Sequence, residues 1–214
     1  MNLKRNLDTV IYDQIIDSLI LGEYKMGEQI LLDTFAEKYG VSRTPIVQAV
    51  KLLANDGILE VLKNGRVRVP VYTPTQIAQL CDVRILLELY ALDEMFKYSE
   101  TPEFEKICEE LNTLAVSGLK STEAGDKLGF NKSDLEFHRL LVKESSNEFL
   151  TDLYKRTQGR FVVANYLSIP WENRDFTEAA HAHLNLMEAL SKRDFLTCKK
   201  LLTEHIQSVS HIVQ

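Results

Sequence analysis

"GVSRTPIVQAVKLLANDG", residues 40–57, runs directly into "ILEVLKNGRVRVP", residues 58–70, and the change of period between them decides the fold. In the first stretch Gly40-Val41 makes a short turn and Ser42 is a good N-cap. Pro45 falls in the first helical turn, where a missing N–H costs little. Ile46, Ala49, Val50 and Leu53 then share one face at helical spacing, and Gly57 supplies the stop. In the second stretch two β-rich arms flank Asn64-Gly65, a strong hairpin signal. Val67 and Val69 fall on one face of the second arm, Arg66 and Arg68 on the other. Two helices precede this region. In residues 7–21, Leu7, Ile11, Ile15 and Leu19 recur every four positions, and Gly22 follows as a stop. In "LLDTFAEKY", residues 31–39, Leu32, Phe35, Ala36 and Tyr39 lie on one side. Helix, helix, three-residue turn, helix and basic hairpin is the order of a winged helix-turn-helix. In that motif the N-terminal residues of the third helix reach base edges, here Ser42, Arg43 and Thr44. Lys51 on the same helix and Lys63, Arg66 and Arg68 on the hairpin are expected to complete the DNA contact, the hairpin following the backbone. A small α+β unit with a solvated arginine face is the alternative. The ordered combination within one short segment favours DNA.

The charge balance agrees once it is resolved along the chain. The net charge is −6, yet residues 1–70 carry nine Lys/Arg and nine Asp/Glu. Residues 43–68 hold five basic residues against two acidic ones. A local basic face suffices, because counterion release depends on the phosphates actually neutralised. Of the 214 residues, 45% are hydrophobic and 26% charged, enough for one large or two small globular domains. No apolar run approaches a membrane span. Asp8 and Asp13 interrupt the start where a signal peptide needs continuous apolar residues. Cys81, Cys108 and Cys198 are widely spaced and suit free thiols, so the expected location is the cytoplasm.

"VYTPTQ", residues 71–76, is a short linker that divides the chain into domains 1–71 and 72–214. Beyond it the period is helical throughout, with helices expected at about 75–98, 103–119, 122–145, 147–168, 173–192 and 194–212. Thr101-Pro102, Ser117-Gly118, Ser145-Ser146-Asn147, Pro170 and Asp194 supply the breaks or caps. The expected fold is mainly α: a winged helix-turn-helix followed by an all-α bundle.

Within that bundle "DLEFHRLL", residues 134–141, places Asp134 and His138 four apart, on one helix face. They form either an ordinary polar pair or half of a metal site. The chain has five histidines, and His181, His183, His205 and His211 lie in its last two helices. His183 and His205 stand 22 residues apart across a break, so antiparallel neighbours can bring them level. Three imidazoles and a carboxylate suit a borderline divalent ion such as zinc, nickel or manganese. Periodicity leaves open which of His181 and His183 points inward. Arg84 in "DVRILLELYAL" either pairs with Glu88 on the surface or sits in a helical cavity and forks onto a carboxylate ligand.

These stretches resemble the GntR family of transcriptional regulators, in the FadR-like group with an FCD effector domain. "GVSRTPIVQAVKLLANDGIL" is similar to the family's recognition-helix stretch, and "DLEFHRLL" looks like its D-x-x-F-H motif. "SSNEFL" resembles the start of its next helix, "HLNLMEALSKRD…EHI" its paired-histidine close, and "VRILLE" its arginine–glutamate signature. The resemblance implies Asp134, His138, His183 and His205 as metal ligands, and it selects His183 over His181. It implies Arg84 and Asn147 as effector contacts, a small carboxylate as effector, and a homodimer on a two-fold operator of double-stranded DNA. Val47 and Gln48 stand where the family usually has arginine and glutamate, Asp33 where some relatives have a DNA-contacting arginine, and Met26 in place of a common proline. A metal-dependent hydrolase is the rival reading, since such a site with an open position can activate water. It leaves residues 30–70 unexplained. A helical interaction module leaves the histidines unexplained.

Overall fold

The computed structural model describes residues 7–168 and 176–212, and the expected break at Pro170 lies outside them. The N-terminal half contains α1 (Leu7–Ile20), β1 (Gln29–Ile30), α2 (Leu32–Tyr39), α3 (Arg43–Asn55), β2 (Glu60–Val61) and β3 (Val67–Arg68). The helical half contains α4 (Pro74–Phe96), α5 (Pro102–Glu123), α6 (Lys127–Lys143), α7 (Glu148–Ser168), α8 (Thr177–Ser191) and α9 (Phe195–Ile212). The strands form an antiparallel sheet of order β1-β3-β2. The first of them was not legible, because a two-residue strand carries too little alternation to register.

Two local expectations are corrected. The hairpin does not turn on a two-residue Asn64-Gly65 loop. Gly65 N–H donates to Leu62 O at 2.8 Å and Leu62 N–H to Arg66 O at 2.8 Å, with Gly65 alone in the loop at positive φ, 78°. This is the longer turn that closes with a left-handed glycine. The expected break at Ser117-Gly118 is absent, since α5 runs on to Glu123. Gly118 is instead a packing position, where an added Cβ would lie 3.6 Å from Phe130 of α6. The stop comes at Gly125, and Asp126 caps α6 by accepting from Gly129 N–H at 2.8 Å. A capping box between Thr73 and Gln76, with Pro74 following, starts α4.

The two halves share a core. Ile11, Ile15, Leu19, Phe35, Ile46, Leu53 and Val67 enclose the centre of the N-terminal half, and Val163 of α7 is buried among them. Ile20 of α1 packs on Val162 of α7. Asp56, just after α3, is buried and accepts from the Tyr12 hydroxyl at 2.7 Å, with Lys155 of α7 at 3.5 Å. Gly159 of α7 lies directly on this turn, where a Cβ would stand 2.2 Å from Asp56 O. Helix α7 therefore belongs to both halves. The helical half has its own core of Leu92, Met95, Phe104, Leu111, Phe137, Leu141, Leu186, Leu190 and Leu202.

Candidate metal centre and nucleic-acid interface

Spacing puts Asp134 and His138 on one face of α6, and the packing of α8 and α9 against the bundle brings His183 and His205 to that face. The Nε2 atoms of the three histidines form a triangle with sides of 3.0, 3.1 and 3.2 Å. Asp134 Oδ1 lies 3.8, 3.5 and 3.9 Å from His138, His183 and His205. His181, two residues from His183, is exposed. The His211 side chain lies outside the described residues.

The tautomer of His138 follows from its other nitrogen. Nδ1 stands 2.6 Å from Glu88 Oε2, and that carboxylate already accepts from Arg84 Nε at 2.6 Å and from the Tyr154 hydroxyl at 2.8 Å. Glu88 therefore accepts from His138 too, Nδ1 carries the proton, and Nε2 presents a lone pair. Burial, reinforced by the Arg84 charge, pushes the His138 pKa down to about 3. Burial likewise drives His183 and His205 well below the usual imidazole range, helped by their neighbouring histidines. Neutral imidazoles cannot all satisfy one another in such a triangle, because the single lone pair of His138 Nε2 accepts from only one of the two nitrogens at contact distance. A cation at the centre would satisfy all of them.

The spacing passes the corresponding test. Nitrogens about 2.1 Å from one ion stand about 3.0 Å apart when mutually perpendicular and about 3.4 Å apart in a tetrahedron. The observed 3.0–3.2 Å sides lie between these limits, nearer the first. The donor set fits a divalent ion, with Glu88 orienting one ligand from behind.

Arg84 is 2% exposed and pairs with Glu88, so of the two readings the surface one falls away and the arginine is buried with its partner. Its guanidinium lies 4.1 Å from the Phe161 ring centroid, and its second terminal nitrogen, Nη2, is buried without a hydrogen bond. The structure gives Asn147 another role from the expected ligand contact. Its Oδ1 accepts from Leu150 N–H at 3.1 Å and caps α7, as a residue at a helix start does. Glu88 was legible only as a partner for Arg84. Its hold on His138, 50 residues away, has no local signature, and neither has that of Tyr154.

At the other end of the molecule Ser42, Arg43, Thr44 and Lys51 are exposed along α3, and Lys63 and Arg66 are exposed at the hairpin. Ser42 occupies the N-cap position without a side-chain cap bond. Arg68, expected on the same basic face, is half-buried. It lies opposite Glu60 in the strand register and pairs with it at 2.7 Å, which offsets its charge. Arg43 is paired too, 3.3 Å from Asp33 of α2. Among the described residues no helix is long and apolar enough to cross a membrane.

Comparison with known proteins agrees with both halves. Residues 7–69 match the family model for bacterial regulatory proteins of the gntR family, and residues 79–208 match the FCD domain. The chain is 25% identical over 210 residues to the uncharacterized HTH-type transcriptional regulator YdhC of Bacillus subtilis, covering 95% of this chain and 91% of the relative. It is 23% identical over 200 residues to the gluconate operon transcriptional repressor of the same organism, covering 92% and 80%. The solved structure of E. coli McbR/YncC superposes with a TM-score of 0.81 at 22% identity, over 97% of each chain, a likeness of fold. The chain belongs to the gntR family of bacterial regulatory proteins and is a DNA-binding transcriptional regulator with an FCD effector-binding domain.

Proposed function

We propose that this cytoplasmic regulator holds one divalent ion, zinc, nickel or manganese, on Asp134, His138, His183 and His205. A small carboxylate bound at that site and on Arg84 then modulates operator binding by a homodimer. The observation that carries this reading is the convergence of three imidazole nitrogens beside a buried arginine with an unpaired Nη2. When bound, the ion supplies a Lewis-acid docking point for a carboxylate. Arg84 supplies a second, directional hold, its plane supported by Phe161. A relative named for a gluconate operon supports an acid as effector. The hydrolase alternative is less well supported, because the buried carboxylate behind the cluster, Glu88, is committed to Arg84, Tyr154 and His138.

The route to DNA runs through α7. Tyr154 binds Glu88 at one point on this helix, and roughly one and a half to two and a half turns on, Gly159, Val162 and Val163 pack on the DNA-binding half. A ligand carboxylate on Arg84 Nη2 shares the guanidinium charge with Glu88, which is held through Nε, and so bears on Glu88, on Tyr154 and on α7. It modulates DNA binding only by favouring one arrangement of the two halves over the other. The test is operator affinity, measured by fluorescence anisotropy on fragments selected with the purified protein, with and without zinc and a panel of small carboxylates. An affinity indifferent to all of them would remove the effector reading.

For the DNA contact itself, Arg43→Ala is expected to weaken operator binding by about 1–3 kcal/mol and relax preference at one base pair. Arg66→Ala should weaken all duplexes alike and lower the salt slope by about one. Unchanged titrations for both variants would exclude the winged-helix contact.

Pairing is supported by an apolar face on the outside of the bundle. Val83, Leu86 (70% exposed) and Tyr90 recur at helical spacing on one side of α4, and Phe149 (89% exposed) and Leu153 are exposed on α7, which packs against α4. Single exposed apolar residues are ordinary, but a stripe of this kind suits an interaction surface. Leu86→Lys is expected to convert a dimer to a monomer in sedimentation equilibrium and to shorten protection from a two-fold site to single half-sites. A wild-type protein that is monomeric at micromolar concentration would refute the pairing.

A further inference from the structure

Asp33 and Arg43 link the two helices of the helix-turn-helix. Asp33 lies in the first turn of α2, and Arg43 is the first residue of α3. Arg43 Nη1 stands 3.3 Å from Asp33 Oδ1, with the two side chains 63% and 72% exposed. The pair is therefore on the surface, beside Ser42 and Thr44, which are exposed as well. Stability does not account for it, because an exposed pair contributes little and loses even that in salt. Affinity does not account for it either. A carboxylate next to residues that meet DNA opposes the phosphates.

The geometry of the contact points to discrimination instead. Arginine carries five N–H donors in a rigid planar fork. Asp33 touches that fork at Nη1, so the edge formed by Nε–H and Nη2–H is left for a bidentate partner. Guanine presents O6 and N7 side by side to such an edge. A phosphate presents acceptors too, but a contact there carries no sequence information. An arginine on an unrestrained stem can settle on either. Beside Asp33 the two cases separate, since the carboxylate repels an incoming phosphate and leaves a neutral guanine edge unopposed.

We propose that Asp33 is the positioning residue for base reading in this regulator. It holds the Arg43 fork toward a guanine and keeps it off the phosphates, at some loss of overall affinity. This rests on the Arg43 base contact above and adds the residue that makes that contact selective. A role confined to the positive end of the α2 dipole, the simplest other use of an acid in a first turn, would lower Tm and leave base preference alone.

The experiment is fluorescence anisotropy of the full-length protein on a selected operator, on its single-base-pair variants and on an unrelated duplex, over a range of salt. Asp33→Ala should lose about fivefold or more of its preference at the base pair that Arg43→Ala relaxes, and at no other. Its binding to the unrelated duplex should tighten, with the salt slope rising by about one as Arg43 turns to a phosphate. Asp33→Asn, which keeps the shape and removes the charge, should move in the same directions. In the Arg43→Ala background, adding Asp33→Ala should leave base preference unchanged. An unaltered preference in Asp33→Ala would overturn the proposal while leaving the Arg43 contact intact. So would a loss spread evenly over the site, which would mean that α2 is displaced. A change of preference that persists without Arg43 would also overturn it, Asp33 then reading a base itself. If Arg43→Ala relaxes no position, the base contact and the proposal fall together.

Discussion

His183→Ala is expected to bind a divalent ion at least about 100-fold more weakly than the wild-type protein, the upper end of what loss of even an outer-shell partner costs. His181→Ala is expected to bind it normally. The two residues are neighbours on α8, yet His183 is 2% exposed and reaches the Nε2 triangle while His181 faces solvent. The ligands come from α6, α8 and α9, so the ion contributes to stability as well as to ligand binding. At a free-ion concentration a thousandfold above Kd, linkage gives about 4 kcal/mol. For a chain of this size that corresponds to a rise in Tm of about 8–16 °C. Elemental analysis of the purified variants and thermal melts with and without chelator measure both effects. Loss of metal in the His181 variant but not the His183 variant would reverse the ligand assignment. Melts unmoved by chelator or added zinc would leave Asp134 and His138 as a polar pair.

Gly159→Ala should destabilise the protein, although the same change in the middle of an exposed helix stabilises by about 0.5–1 kcal/mol. The sign is set by the approach of α7 to the end of α3. The new Cβ would lie 2.2 Å from Asp56 O and within 3.0 Å of the Ile58 side chain, and a backbone carbonyl cannot swing aside as a flexible side chain can. Overpacking of this kind costs about 1–3 kcal/mol. Relief requires α7 to move off the turn that also holds buried Asp56 against Tyr12 and Lys155. Gly159→Val should push further, dividing a single unfolding transition into two as the DNA-binding half melts apart from the bundle. Differential scanning calorimetry reads both the sign and the number of transitions. A stabilised alanine variant would mean that the two halves do not press together at Gly159.

What the sequence determined by itself is what forms within a turn or two of chain. Thr101, Asn147 and Asp194 announce helix starts because a side-chain oxygen meets an N–H three residues on. The turn of residues 40–42 between α2 and α3 and the basic face of the hairpin are local in the same sense. So is the shared face of Asp134 and His138, which helical geometry alone guarantees. The tertiary structure decided the matters that depend on which helices meet. It selected His183 over His181, since two residues apart on one helix face nearly opposite directions and only the docking of α8 says which is inward. It decided between a surface and a buried place for Arg84, and brought Glu88 to His138 across 50 residues. It made packing positions of Gly118 and Gly159, glycines that look like breaks or helix weaknesses until a neighbouring element is pressed against them. It also gave α7 to both halves of the molecule, because Val162 and Val163 find their apolar partners in a domain that ends about ninety residues earlier. Caps and turns are satisfied by neighbours in the chain, whereas burial is shared among segments that meet only when the whole core forms.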